Sequence, residues 1–301
     1  MTSVPTFLMT DPAHYEVSYS INPWMEPSHW SAAPEERHRQ AVSCWRALRQ
    51  ALEQAGARVE VVPGQPGLPD MLFPANAAVV LDGCALMARF LYPERQGEEP
   101  YFHAFFQQLR EQGHLRQVDL LPEGLIHEGA GDCIWDPLRR HFWVGWGQRS
   151  AYEATAVIEK HFGFPVVPLQ LVSPRYYHLD VCFYPLPGGE VVYYPGALSE
   201  ASRAEIRRRV SDDLRIEAGE AEAELLCLNA VNLGHDIFMA KGTPRLKDQL
   251  EARGYRCIEL DLAPFILSGG GAYCMTLHLD RSSAAQDGAA NWQQQDLQEI
   301  G

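Results

Sequence analysis

Pro34-Glu35-Glu36-Arg37-His38-Arg39-Gln40-Ala41-Val42-Ser43-Cys44-Trp45-Arg46-Ala47-Leu48-Arg49-Gln50-Ala51-Leu52-Glu53-Gln54, followed by Ala55-Gly56-Ala57-Arg58-Val59-Glu60-Val61, is one complete structural phrase. Ala41, Cys44, Trp45, Leu48 and Leu52 recur at helical spacing, so the spacing predicts an amphipathic helix over 34–54. Gly56 is a stop signal, and the alternation of Val59 and Val61 predicts a strand. The phrase returns along the chain. Phe102, Phe105, Phe106 and Leu109 form a stripe over 101–112, ahead of Gly113 and a strand at 118–121. A helix over 151–162 is closed by Gly163 before Val166-Val167. Further helices are expected at 200–210 and at 244–253, the latter closed by Gly254 and followed by a strand at 256–260. The helix ends recur at roughly 45–60 residues, a period found in units repeated around a common axis. An ordinary α/β sheet also alternates helix and strand, and periodicity alone leaves both architectures open.

With 301 residues, 46% of them hydrophobic, the chain has material for a buried core. No interior stretch has linker composition, so one domain is expected over 1–281; the Gln-, Ala-, Ser- and Asp-rich stretch 282–301, with its lone Trp292, reads as a flexible tail. The first residues lack a leader-like pattern, and no apolar run reaches the ~18 residues of a membrane span. A cytoplasmic setting is expected. The seven cysteines are widely spaced and never arranged as C-x-x-C, which argues against a disulfide framework or a zinc site. Most read as inert core thiols. A net charge of −14 disfavours nucleic acid and anionic membranes as partners and suits a small cationic substrate. No metal and no cofactor is indicated, and a homo-oligomer is compatible with the sequence.

Four segments could carry chemistry. Ser268-Gly269-Gly270-Gly271-Ala272-Tyr273-Cys274 sets a cysteine after three glycines, which let a backbone approach a ligand closely. A thiol on such a loop can be exposed and have its pKa lowered by a nearby cation; a buried cysteine at a strand start is the alternative. Tyr176-Tyr177-His178-Leu179-Asp180-Val181 alternates as a strand would, placing His178 and Asp180 on one face. His127-Glu128-Gly129-Ala130-Gly131-Asp132 is a glycine-rich turn with two acids before an apolar run containing Trp135. Pro69-Asp70-Met71-Leu72-Phe73-Pro74-Ala75-Asn76 leads polar groups into a buried strand.

In order and spacing these segments resemble the guanidino-modifying (pentein, or amidinotransferase) superfamily, which includes arginine deiminases, dimethylargininases, amidinotransferases and arginine dihydrolases. The resemblance runs from Ile21-Asn22-Pro23-Trp24-Met25 to Cys274. It takes in Glu94-Arg95-Gln96-Gly97-Glu98-Glu99-Pro100, Gly147-Gln148-Arg149-Ser150 and Asn229-Ala230-Val231-Asn232. It implies a five-bladed α/β propeller with the site at its centre.

The resemblance also implies roles. Cys274 is the nucleophile on the guanidinium carbon, forming a covalent thiouronium; His178 protonates the departing nitrogen and then activates water; Glu128 holds His178 and the guanidinium in register. Asp180 binds the guanidinium, Arg95 and Arg149 grip the α-carboxylate, Asp70 takes the α-ammonium, and Asn22 joins the substrate-binding set. Asn76 stands where deiminases and dimethylargininases have an acid. An amide can hold a charged guanidinium and also a neutral ureido group, so citrulline is expected to be retained and attacked again, giving ornithine. The pattern is most similar to the dihydrolase domain of cyanobacterial arginine-degrading enzymes, whose second domain has no counterpart among these 301 residues. Two departures bear on substrate choice: Leu91 stands where that group has an arginine, and Asp261-Leu262-Ala263-Pro264-Phe265-Ile266-Leu267-Ser268 lacks the acid and lysine usual there before the glycines. The competing readings are a dimethylargininase or plain deiminase, and, in a different class, a catalytically silent binding protein. Metal-dependent guanidine hydrolysis has no Asp/His spacing to support it.

Overall fold

The computed structural model describes residues 4–284. Five three-stranded sheets, each with its own crossover helix, make a five-bladed α/β propeller. In four blades an antiparallel pair is followed by a helix that returns the chain to a parallel third strand. Ala78–Leu81, Cys84–Met87 and Gln117–Leu120 form one, and Cys133–Asp136, His141–Trp146 and Val166–Gln170 the next. Phe183–Pro185, Val191–Tyr193 and Arg215–Glu217 make another, and Val231–Leu233, Asp236–Ala240 and Arg256–Leu260 the last. The remaining blade joins the two ends of the described chain. Thr6–Thr10 pairs in parallel with Arg58–Val62 and antiparallel with Leu277–His278, so the ring closes without a free seam.

The five expected helices form over Pro34–Gln54, Glu99–Glu111, Ala154–Phe162, Glu200–Arg209 and Pro244–Glu251. Gly56, Gly113, Gly163 and Gly254, which follow four of them, all have positive φ. A β-carbon would oppose that turn. The inward faces of the helices bury Trp45, Leu48, Leu52, Phe102, Phe106 and Ile158 against the sheets.

In three blades the first strand of the sheet is preceded by a short turn that carries or adjoins buried polar residues. Asn76 lies on the 3-10 turn Pro74–Ala77 ahead of Ala78–Leu81; Gly129–Gly131 precedes Cys133–Asp136, and Leu179–Val181 precedes Phe183–Pro185. The segment 176–181 is therefore not a strand. The backbone N–H of Leu179 donates to the Asp132 carboxylate at 2.9 Å instead of to a neighbouring strand, and this pulls the chain into a turn. Of the expected tail, Ser282–Ala284 are ordered against Asp82, where the backbone N–H of Ser283 donates to Asp82 Oδ1 at 2.7 Å; its remaining residues, Trp292 included, lie outside the described residues.

Candidate active site

At the ring's centre the turns bring together Asp70, Asn76, Arg95, Glu98, Glu128, Asp132, Arg149, His178, Asp180, Asn229 and Cys274, none more than 3% exposed. Such a density of buried charge is costly unless each group is paired. Most are.

Glu128 is the hub of one half. Its Oε2 accepts from His178 Nε2 at 2.7 Å and from Arg149 Nη1 at 2.9 Å, while Oε1 accepts from the backbone N–H of Leu91 at 3.1 Å. Burial favours the neutral acid, but Arg149 and His178 outweigh it and hold the Glu128 carboxyl down to about 2. An ionised carboxylate can only accept, so His178 Nε2 carries the proton and Nδ1 presents its lone pair. Nδ1 lies 3.4 Å from Asn76 Nδ2. Burial lowers the His178 pKa to about 4 despite Glu128, so the ring is neutral at pH 7 and available as a base.

Asn76 bridges to Arg95, whose Nη1 donates to Asn76 Oδ1 at 2.7 Å. The Arg95 fork grips Glu98 through Nε and Nη2, each at 2.9 Å, and Nη2 also reaches the Asp70 carbonyl at 3.0 Å. Gly131 lies so near that a β-carbon there would come within 2.3 Å of Asn76 Nδ2. The glycines of 129–131 are thus required for the two turns to meet.

Cys274 occupies the other half. Its thiol donates to Asp180 Oδ2 at 3.1 Å and accepts from Asn229 Nδ2 at 3.0 Å. The sequence left open an exposed thiol with a lowered pKa and a buried cysteine; the structure has the buried one. Cys274 is 2% exposed, and burial together with the Asp180 carboxylate pushes its pKa well up. The nearest charge is an anion. Burial likewise raises Asp180 to about 7, against the hydrogen bonds from Cys274 and Asn229. Asp180 Oδ1 and Asp70 Oδ1 are buried without a hydrogen-bond partner, and burial raises the Asp70 pKa despite Arg95.

Other expected residues are placed less directly. Arg149 lies between the rings of Tyr92 and Tyr177, 4.6 Å from each centroid, and its Nη2 donates to the Ile21 carbonyl at 3.0 Å. Both arginines therefore already have protein carboxylates as partners. Asn22 ties the entry segment to the glycine loop: its Nδ2 donates to the Ser268 carbonyl at 3.0 Å and its Oδ1 accepts from the Trp24 backbone at 2.9 Å. Glu98, Asp132 and Asn229 received no role from the sequence. Glu98 had a signal in its i+3 spacing from Arg95, and Asn229 had one in its Asn-Ala pair before a strand, which repeats Asn76-Ala77. No group of three or more His, Cys, Asp or Glu suited to a metal, and no helix long and apolar enough to cross a membrane, occurs among the described residues.

The family model for eukaryotic N,N dimethylarginine dimethylhydrolases matches residues 20–281. The chain belongs to this family. Within it, the chain is 40% identical over 279 residues to the bifunctional arginine dihydrolase/ornithine cyclodeaminase AgrE of Nostoc, covering 93% of this chain but only 38% of that protein. It is 33% identical to an N(G),N(G)-dimethylarginine dimethylaminohydrolase of Mycobacterium tuberculosis, over 91% of this chain and 85% of the relative. The product-bound crystal structure of the N-terminal domain of ArgZ, a cyanobacterial arginine dihydrolase, superposes with a TM-score of 0.87 at 38% identity, covering 93% of this chain and 99% of that domain. The family and the propeller expected from the sequence are both found.

Proposed function

We propose that this chain is a cytoplasmic guanidino hydrolase acting through Cys274, and specifically an arginine dihydrolase that converts L-arginine to L-ornithine, carbon dioxide and two ammonia. One observation carries the reading: the Cys274 thiol and the His178 imidazole lie in one buried cluster with two carboxylate oxygens, on Asp70 and Asp180, that lack hydrogen-bond partners. A guanidinium with an α-ammonium supplies the missing positive charges at both ends. It also relieves the thiol. Once Asp180 turns to the cation, Cys274 no longer faces an uncompensated anion and can ionise.

The thiolate attacks the guanidinium carbon, ammonia leaves with a proton, and the S–C bond holds a thiouronium. His178, unprotonated at Nδ1 and anchored through Nε2 on Glu128, takes the proton of the Cys274 thiol, delivers it to the departing nitrogen and then takes one from water as the C–S bond breaks. Repetition on the ureido carbon consumes a second water and gives the second ammonia; the carbamate left behind loses carbon dioxide. The N–H groups that Arg95 and Arg149 keep free would receive the α-carboxylate. The seven free cysteines suit a reducing compartment. This reading needs no cofactor, and it takes residues 1–281 as a single domain.

Preference for the dihydrolase over a dimethylargininase rests on Asn76 and on the relatives. A cysteine-to-serine mutant of the ArgZ domain holds substrate, and an asparagine-to-serine variant is covalently bonded to a reaction intermediate. The deciding measurement is product analysis with L-arginine. Ornithine with two ammonia supports the dihydrolase; citrulline with one ammonia identifies a deiminase; reaction only with dimethylarginine identifies the dimethylargininase. In Asn76→Asp, citrulline should accumulate, and an unchanged ornithine-to-citrulline ratio would sink the role given to Asn76.

A further inference from the structure

We propose that Asn229 is a catalytic residue of this site: its carboxamide N–H binds the Cys274 sulfur and stabilises the thiolate before attack and again when the C–S bond breaks. This deepens the guanidino-hydrolase reading and rests on it. Asn229 is fully buried, and all of its amide capacity is used. Oδ1 accepts from the backbone N–H groups of Gly271 at 2.8 Å and Cys274 at 3.1 Å; Nδ2 donates to the Asp180 carbonyl at 3.1 Å and to Cys274 Sγ at 3.0 Å. The orientation of the amide is thereby fixed. A flipped side chain would set its NH2 against two N–H donors and its oxygen against a carbonyl. The seat is also close: a β-carbon on Gly271 would come within 3.0 Å of Asn229 Oδ1, which accounts for a glycine three residues before the nucleophile.

One side chain therefore positions the loop that carries the nucleophile and touches the nucleophilic atom. Its bond to sulfur changes strength with the chemistry. A thiolate is a strong acceptor; a sulfur bonded to the substrate carbon has given its electron pair to that bond and accepts weakly. When water displaces the enzyme, the pair returns to sulfur where the Asn229 N–H already points. Arg95 and Arg149 bind other carboxylates, and Asp180 opposes the thiolate charge, so among the side chains hydrogen-bonded to Sγ only Asn229 favours it.

The test is the pH dependence of Cys274 alkylation by iodoacetamide, followed on the Cys274 peptide by mass spectrometry, in wild type and Asn229→Asp. The aspartate keeps an acceptor for the two backbone N–H groups but replaces the donor to sulfur with an oxygen. The labelling midpoint should rise by at least about one to two pH units, the size of one hydrogen bond to a charged group, and kcat should fall with little change in KM. An unchanged midpoint, in protein with wild-type near-UV circular dichroism, overturns the proposal. Because the aspartate also places a negative charge beside the sulfur, the same titration is made on Asn229→Ser, which removes the donor without adding charge; an unchanged midpoint in folded Asn229→Ser overturns the proposal whatever the aspartate variant does. Labelling requires no substrate. A shifted midpoint alongside a wild type that hydrolyses neither arginine nor dimethylarginine would therefore reject the functional reading and leave Asn229's role standing.

Discussion

Arginine meets carboxylate in two contrasting places. On the outer helix Glu200–Arg209, Glu200 pairs with Arg203 and Arg207, and Glu205 with Arg208 and Arg209, at 2.5–2.7 Å. At the centre, Arg95–Glu98 and Arg149–Glu128 are longer, both at 2.9 Å, but their side chains are at most 4% exposed. Length ranks these pairs in the wrong order. The outer ones exchange one set of solvated contacts for another, whereas each inner charge has no water to return to, so its partner determines whether it can exist there at all. The inner pairs hold His178 and Asn76 in place, and they leave the Asp70 and Asp180 oxygens as the only unpaired carboxylate atoms of the cluster.

Removing an inner partner should therefore have the largest effect. Arg149→Met strands Glu128 and should destabilise the fold by ~3–5 kcal/mol at pH 7, read by urea unfolding. The pH dependence gives a second check. The native Glu128 pKa of about 2 lies below its ordinary 4.5, so the stabilisation is complete above 4.5 and is lost as pH falls toward 2. The gap between wild type and variant should narrow over that window; a gap independent of pH would mean that Arg149 acts through its ring contacts with Tyr92 and Tyr177 alone.

Asp180→Asn should go the other way. The native pKa of about 7 lies above the ordinary 3.8, so the folded chain holds a proton that the unfolded chain has released. The carboxylate therefore destabilises the fold increasingly as pH rises from 3.8 through 7. The asparagine variant should gain ~1–3 kcal/mol at pH 8, converge with wild type below pH 4, and lose ~100-fold or more in kcat/KM. A variant that is no more stable at pH 8 than wild type would show that Asp180 is compensated by groups other than the substrate.

How much of this was legible in the sequence divides along the same line. The helices were readable because 34–54 and 101–112 carry an apolar stripe and four of the five are followed by a glycine, and the central acids were readable through the resemblance of their motifs. What the sequence did not convey was electrostatic. A cysteine after three glycines looks exposed, but Phe73 and Asn229 pack against those glycines and bury the loop. His178 and Asp180 alternate as in a strand, but Asp132 takes the backbone N–H of Leu179 and turns the chain, so His178 faces Glu128 while Asp180 faces Cys274. Asn229 lies 45 residues from Cys274, and nothing local to either position announces their contact.

The smallest effect is expected on the outer helix, where it tests the other half of the contrast. Arg208 and Arg209 hold the Glu205 carboxyl down to about 2, which by itself would imply a substantial contribution lost on acidification from 4.5 toward 2. Yet Arg208 is 63% and Arg209 32% exposed in its side chain, so water and salt screen both pairs. Glu205→Gln should cost ~0–1 kcal/mol at pH 7, and most of that should vanish in ~1 M salt. Thermal unfolding at low and high salt measures it. A loss as large as that of Arg149→Met would mean that the helix charges act as a cooperative network, and that burial alone does not separate the two regions.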